Sequence, residues 1–117
     1  MDPCVKCGAP GHVHHIVFKS HGGLDNKMNL INLCPMHHEL GPDAPHKSRK
    51  ADLELKEALQ EEYFELFDEE EYTIEQISEL IGISKKKTEK AFLKVNQYAG
   101  IFQKEDIIRR LMGGRLY

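Results

Sequence analysis

Two short spacers, Cys4-Val-Lys-Cys7 and Cys34-Pro-Met-His37, constrain this chain more than anything else in it. Each is a ligand-x-x-ligand knuckle, and two knuckles together offer the tetrahedral Cys3His set that suits structural Zn2+. The three cysteines are an odd number and two of them lie within four residues, which fits thiolate ligation better than a disulfide framework. A closed site of this kind contributes folding free energy directly, so a segment too short to build a sizeable core can still hold a shape. The spacing predicts one zinc ion on Cys4, Cys7, Cys34 and His37.

Every Cys and every His falls within residues 1–46, and Gly-Pro-Asp-Ala-Pro at 41–45 closes that region with turn chemistry. The run "HVHHIVF" at 12–18 alternates β-branched residues with histidines, as a short strand does, and "KSHGGLDNK" at 19–27 reads as a loop. "NLINLC" at 29–34 then leads into Pro35, well placed in the first turn of a short helix carrying His37 and His38. With His37 given to zinc, His12, His14, His15, His21, His38 and His46 remain. Neighbours on a strand face opposite ways, so His14 and His15 cannot serve one ion by simple alternation and must have different jobs. One can hold a metal. The other, facing a groove, can act as a base, because imidazole titrates near neutrality. His12 shares a strand face with His14, and His21 sits in the loop; neither joins the catalytic set.

The chain has 117 residues and a net charge of −3, an average that argues against a nucleic-acid partner, since phosphate binding relies on Lys and Arg. The average misleads. Ten acids between Asp52 and Glu71 stand against the single base Lys56, and both flanking segments are basic, so the ends could approach DNA while the middle faces away. Within residues 47–67, Ala51, Leu55, Leu59, Tyr63 and Phe67 recur every four residues and Leu66 widens the stripe, which predicts an amphipathic helix whose apolar face needs a partner. Thr73, with Gln76 at the capping-box position, opens a helix over 74–81. "GIS" follows, and Ser84 can cap a second helix from Lys85 to about Asn96, buried through Thr88, Ala91, Phe92 and Val95. This is the helix-turn-helix pattern, and Lys85, Lys86 and Lys87 at the start of its second helix would meet DNA phosphates. A small bundle covering the long helix, with those lysines solvated, is the alternative. A last helix over 104–112 ends at Gly113-Gly114. No internal repeat or low-complexity tract stands out. No apolar run approaches the roughly 20 residues that span a bilayer, and "MDPCVKCG" has no basic segment leading into an apolar one, so the chain reads as cytosolic.

His14-His15-Ile16, then Gly22-Gly23, then "NLINLC" at 29–34, then His38 directly after His37, form an ordered pattern that resembles the HNH endonuclease family in its zinc-knuckle form. The resemblance covers about residues 4–50. It implies an α+β fold in which residues 1–50 are a zinc-stabilised ββα-metal module. Residues 51–71 then read as an acidic connecting helix, and residues 72–117 as a helical segment with the helix-turn-helix. It also implies a metal-dependent endonuclease hydrolysing DNA phosphodiester bonds, by nicking or by cutting both strands. His14 and His38 fall on ligand positions for one catalytic divalent cation, Mg2+ or Mn2+. His15 falls on the general base, and Asn29 on the central Asn that orients the base and braces the loop. Two departures stand out: His37 replaces a Cys at the fourth knuckle position, and "GPDAPH" precedes the long helix. Both, with "KSRKADLELK", resemble a phage- and prophage-associated subgroup, in which His46 would be a third ligand, a phosphate contact or a helix-start residue. DNA is the implied partner, with a second copy of the chain or phage DNA-processing proteins as further candidates. The rival reading is a zinc-stabilised DNA-binding regulator or adaptor without catalysis, and the two differ over His15 and Asn29.

Overall fold

In the computed structural model, which describes residues 3–42 and 44–117, the histidine-rich run forms strand β1 (His12–His15). It pairs antiparallel with β2 (Leu30–Leu33), in a register that sets His14 opposite Ile31 and His15 opposite Leu30. The connecting loop carries two 3-10 turns, Lys19–His21 and Lys27–Asn29. It also folds back tightly on itself. A Cβ at Gly23 would lie 1.8 Å from the Val17 carbonyl oxygen, so no larger residue fits there. Pro35 then opens a π-helical turn, Met36–Leu40. Of the turn expected at 41–45, Asp43 lies outside the described residues. Helix α1 (Arg49–Leu66) begins at Ser48, whose hydroxyl accepts from the Ala51 N–H at 3.1 Å.

The C-terminal half is built from two strand-then-helix units. β3 (Glu71–Thr73) runs directly into α2 (Ile74–Ile81), and β4 (Ile101–Gln103) into α4 (Lys104–Leu111). The two strands pair antiparallel, with Tyr72 opposite Phe102. Neither was expected, because three-residue strands exist only through a partner about thirty residues away. α2 opens with the full capping box: the Thr73 N–H donates to Gln76 Oε1 at 2.8 Å, and the Gln76 N–H donates to Thr73 Oγ1 at 3.3 Å. Gly82, at φ 75°, supplies the left-handed turn into α3 (Lys85–Ala91). α3 stops short of Asn96 for a local reason. An α-helix would bond the Val95 N–H to the Ala91 carbonyl, but Arg110 Nε takes that carbonyl at 2.6 Å, and Val95 bonds to Phe92 instead.

The apolar stripe of α1 finds its partner in a core shared by both halves. Leu59, Tyr63 and Phe67 are buried against Ile16 and Val17 on one side and Ile77, Phe92, Phe102, Ile107, Ile108 and Leu111 on the other. Beneath the β1–β2 hairpin a second, smaller cluster joins Leu33 to Cys4 and Cys34. Across the main core Asn26 Nδ2 donates to the Tyr63 hydroxyl at 2.8 Å, both groups being almost fully buried. Burial pushes the Tyr63 phenol up to about 12, against the opposing effect of the Asn26 donor. Among the described residues no helix is long and apolar enough to cross a membrane.

Tyr63→Phe therefore strands a buried amide donor. It should cost about 1–3 kcal/mol in urea unfolding of the zinc-loaded protein, and an unchanged midpoint would show that the Asn26–Tyr63 bond does not tie the loop to α1.

Candidate active site

The first side-chain cluster lies between the N-terminal knuckle and the turn after β2. Cys7 Sγ lies 3.6 Å from Cys34 Sγ, and His37 Nδ1 lies 3.6 Å from Cys4 Sγ and 3.2 Å from Cys34 Sγ. All four ligand atoms fall within 4.8 Å of one another. A tetrahedron with metal–sulfur bonds of about 2.3 Å has sulfur–sulfur edges of roughly 3.8 Å, so the spacing fits zinc. The Cys4 and Cys7 thiols respond to this setting in opposite directions. Burial pushes the Cys4 thiol up, but main-chain groups of Cys34, Lys6 and Cys7 and the His37 ring outweigh it and bring it down to about 6. At Cys7 the Ala9 main chain pulls downward, while the Cys34 and Cys4 sulfurs and burial raise the thiol overall, as crowded thiols without a cation do.

A second cluster joins His14 of β1, His38 of the π-helical turn and His46 of the turn before α1, with one ligand nitrogen each inside 4.8 Å. His38 Nε2 and His46 Nε2 face each other at 2.9 Å. His14 is 2% exposed, and its Nε2 is buried with no hydrogen-bond partner among the described residues. Desolvation first, then the nearby His38 and His46, bring His14 down to about 4, so its imidazole is neutral at pH 7 with its lone pair available. Phe18 forms one wall. Its ring stacks on His46 at 5.1 Å and 11°, and meets His14 edge-on at 5.6 Å. The recess lined by these residues, with His15, Lys19 and Ser20, has a volume of about 370 Å³.

His15, next to His14 on β1, is less buried and reaches the rim of the same recess. Its Nε2 lies 2.7 Å from Asp25 Oδ1, which is also 3.4 Å from Lys19 Nζ. A carboxylate can only accept, so Nε2 is the donor in this contact, which leaves Nδ1 as the acceptor of the neutral ring. The His15 contact, ahead of Lys19, holds the Asp25 carboxyl below its usual range. Asn29 contributes differently. Its Oδ1 accepts from the Val17 N–H at 2.7 Å, and its Nδ2 donates to the Val17 and Leu24 carbonyls at 3.1 and 2.8 Å. The side chain braces the loop through main-chain groups, and the side-chain contact to His15 comes from Asp25.

Asp25 and Phe18 were absent from the sequence-derived site. An acid in the otherwise basic run Lys19 to Lys27 was the one available signal for Asp25, and Phe18 had none. His12 and His21 are exposed, with the His21 ring 5.3 Å from Phe18. On α3, Lys85 is paired with Glu75 at 2.9 Å and lies 3.9 Å from Glu89, while Lys86 and Lys87 are exposed.

Residues 4–39 match a family model described as HNH endonuclease. No curated protein and no solved structure matches the chain. The matched segment holds both knuckles, the His14-His15 pair, Asn29 and His38. Residues 4–39 are thus similar to an HNH endonuclease domain, and the Cys4, Cys7, Cys34 and His37 cluster fits its zinc-knuckle form.

Proposed function

We propose that this chain is a metal-dependent endonuclease that hydrolyses DNA phosphodiester bonds, with a structural Zn2+ on Cys4, Cys7, Cys34 and His37. One observation carries the reading. His14, His38 and His46, drawn from a strand and two separate turns, converge on a recess whose rim bears the oriented imidazole of His15. A regulator that only bound DNA would have no use for that convergence, so the enzymatic reading is preferred.

A divalent cation on the three imidazoles would offset charge on the scissile phosphate and the departing 3′ oxygen. Three imidazole nitrogens, with no carboxylate joining them among the described residues, favour a transition ion over Mg2+. His15 acts as general base: its Nδ1 takes a proton from water as that water attacks phosphorus. Asp25 is a positioning residue, accepting from Nε2–H so that the ring presents Nδ1 outward and its growing positive charge is balanced. Asn29 holds the loop on which Asp25 sits.

Three outcomes follow. His15→Ala should lower Mn2+-dependent plasmid cleavage by on the order of a hundredfold or more while zinc content and circular dichroism stay at parent levels; parental cutting would overturn the base assignment. Asp25→Asn should lower kcat by roughly ten- to a hundredfold with KM unchanged, and Asp25→Glu should recover part of it; equal loss in both variants would point to a structural role instead. Cys7→Ser should emerge without zinc, by metal analysis, and with the β1–β2 hairpin unfolded by NMR. A folded, zinc-free hairpin would remove the metal from the account of stability.

A further inference from the structure

The histidine recess is one of three that lie side by side around the loop 18–23. Phe18 is shared between it and a second recess of about 460 Å³. Gly113 is shared between the second and a third of about 490 Å³. The loop between them is clamped rather than free. Arg110 Nη1 donates to the Gly22 carbonyl at 2.7 Å, and a Cβ at Gly113 would lie 2.4 Å from the His21 oxygen, so the end of α4 rests directly on the nuclease loop.

Charge along this surface is one-sided. The second recess is lined by Arg49 and Arg115, both exposed, and its only acid, Asp52, is neutralised by Lys56 at 2.7 Å. The third is lined by Lys94, Arg109 and Arg110 against Asp106, with Arg109 also touching Glu105 at 2.8 Å. Helix geometry keeps most of the other acids away. At about 100° per residue, Arg49, Leu53, Lys56 and Gln60 share one face of α1, whereas Glu54, Glu61, Glu62 and Glu65 are exposed and turned well away from it, and exposed Glu57 flanks it. On α3, Lys85 is paired with Glu75 and lies near Glu89, as Arg109 is paired with Glu105 on α4.

We propose that this strip, from the histidine recess past Arg49 and Arg115 to the cleft of Lys94 and Arg109, is the track along which duplex DNA lies. The contacts are to phosphates, which position a duplex without reading its sequence. The proposal rests on the endonuclease reading and names the surface that presents the substrate to it. It also assigns a purpose to the C-terminal half, which lies outside the family match: its α4 end both shapes the nuclease loop and extends the cationic surface.

The test measures binding apart from cleavage. A short labelled duplex is titrated by fluorescence anisotropy, without divalent metal, against the zinc-loaded protein and the variant Arg49→Gln/Lys94→Gln/Arg109→Gln/Arg115→Gln. All four positions are surface side chains, and thermal unfolding and zinc content verify the fold. The variant should bind on the order of ten- to a hundredfold more weakly, with the slope of log affinity against log salt reduced by roughly 2 to 4. Parental affinity and slope in a folded variant would overturn the track while leaving the nuclease intact. Loss confined to Lys86→Gln/Lys87→Gln would move the DNA to α3 and also overturn it. A parent that binds no duplex under any salt condition would remove the nuclease reading together with the track.

Discussion

Three hydrogen bonds from one buried amide hold the N-terminal module in shape. Asn29 satisfies the Val17 N–H, the Val17 carbonyl and the Leu24 carbonyl together, main-chain groups that would otherwise be stranded where the chain leaves β1 and turns back. A buried polar group of this kind contributes little net stability when satisfied and costs a great deal when it is not, so it selects one path for the loop over all others. That path sets Phe18 under His46 and Asp25 against His15. A residue remote from any reacting atom thereby fixes both the wall of the recess and the tautomer of the proposed base.

Local chemistry was legible in the sequence, and long-range chemistry was not. Thr73 and Gln76 announce α2 because a capping box closes within four residues, and the four-residue recurrence of apolar positions announces α1 because a helix face is a local object. The knuckles are legible for the same reason: tetrahedral ligation demands short spacers. The end of α3 was missed because it is decided by Arg110, nineteen residues onward, and β3 and β4 because each is defined only by the other. Asp25 illustrates the limit within the site. Its contact to His15 spans ten residues across a loop, and no periodicity encodes such a meeting.

The shared core explains why the N-terminal module comes with a C-terminal half. The hairpin's own apolar cluster consists of Leu33 packed with two zinc-ligand cysteines, far short of what offsets the entropy of ordering its loop. A zinc ion on the Cys4, Cys7, Cys34 and His37 cluster would supply part of the deficit at one end. At the other, Ile16 and Val17 leave β1 and enter a core built mostly from α1, α2 and α4, so burial there stabilises the loop as much as the helices. The metal and the helical half therefore act on opposite ends of one hairpin, and loosening either should be felt at His14, which lies between them.

Lys56 shows how far that coupling reaches. It is 6% exposed, pairs with Asp52, and sits 4.9 Å from the Phe18 ring centroid and 5.5 Å from that of Tyr117. Desolvation cancels most of the Coulomb gain of a buried ion pair, so its contribution lies in fixing position, and removing either partner alone would strand a charge. Tyr117 is itself held to α1 by two bonds with Gln60, its N–H donating to Oε1 at 2.7 Å and its main-chain oxygen accepting from Nε2 at 2.8 Å. Contacts run without a break from Tyr117 through Lys56 and Phe18 to His46. The histidine recess is therefore tied to contacts well outside it, although the residues that line it all fall between Val13 and His46.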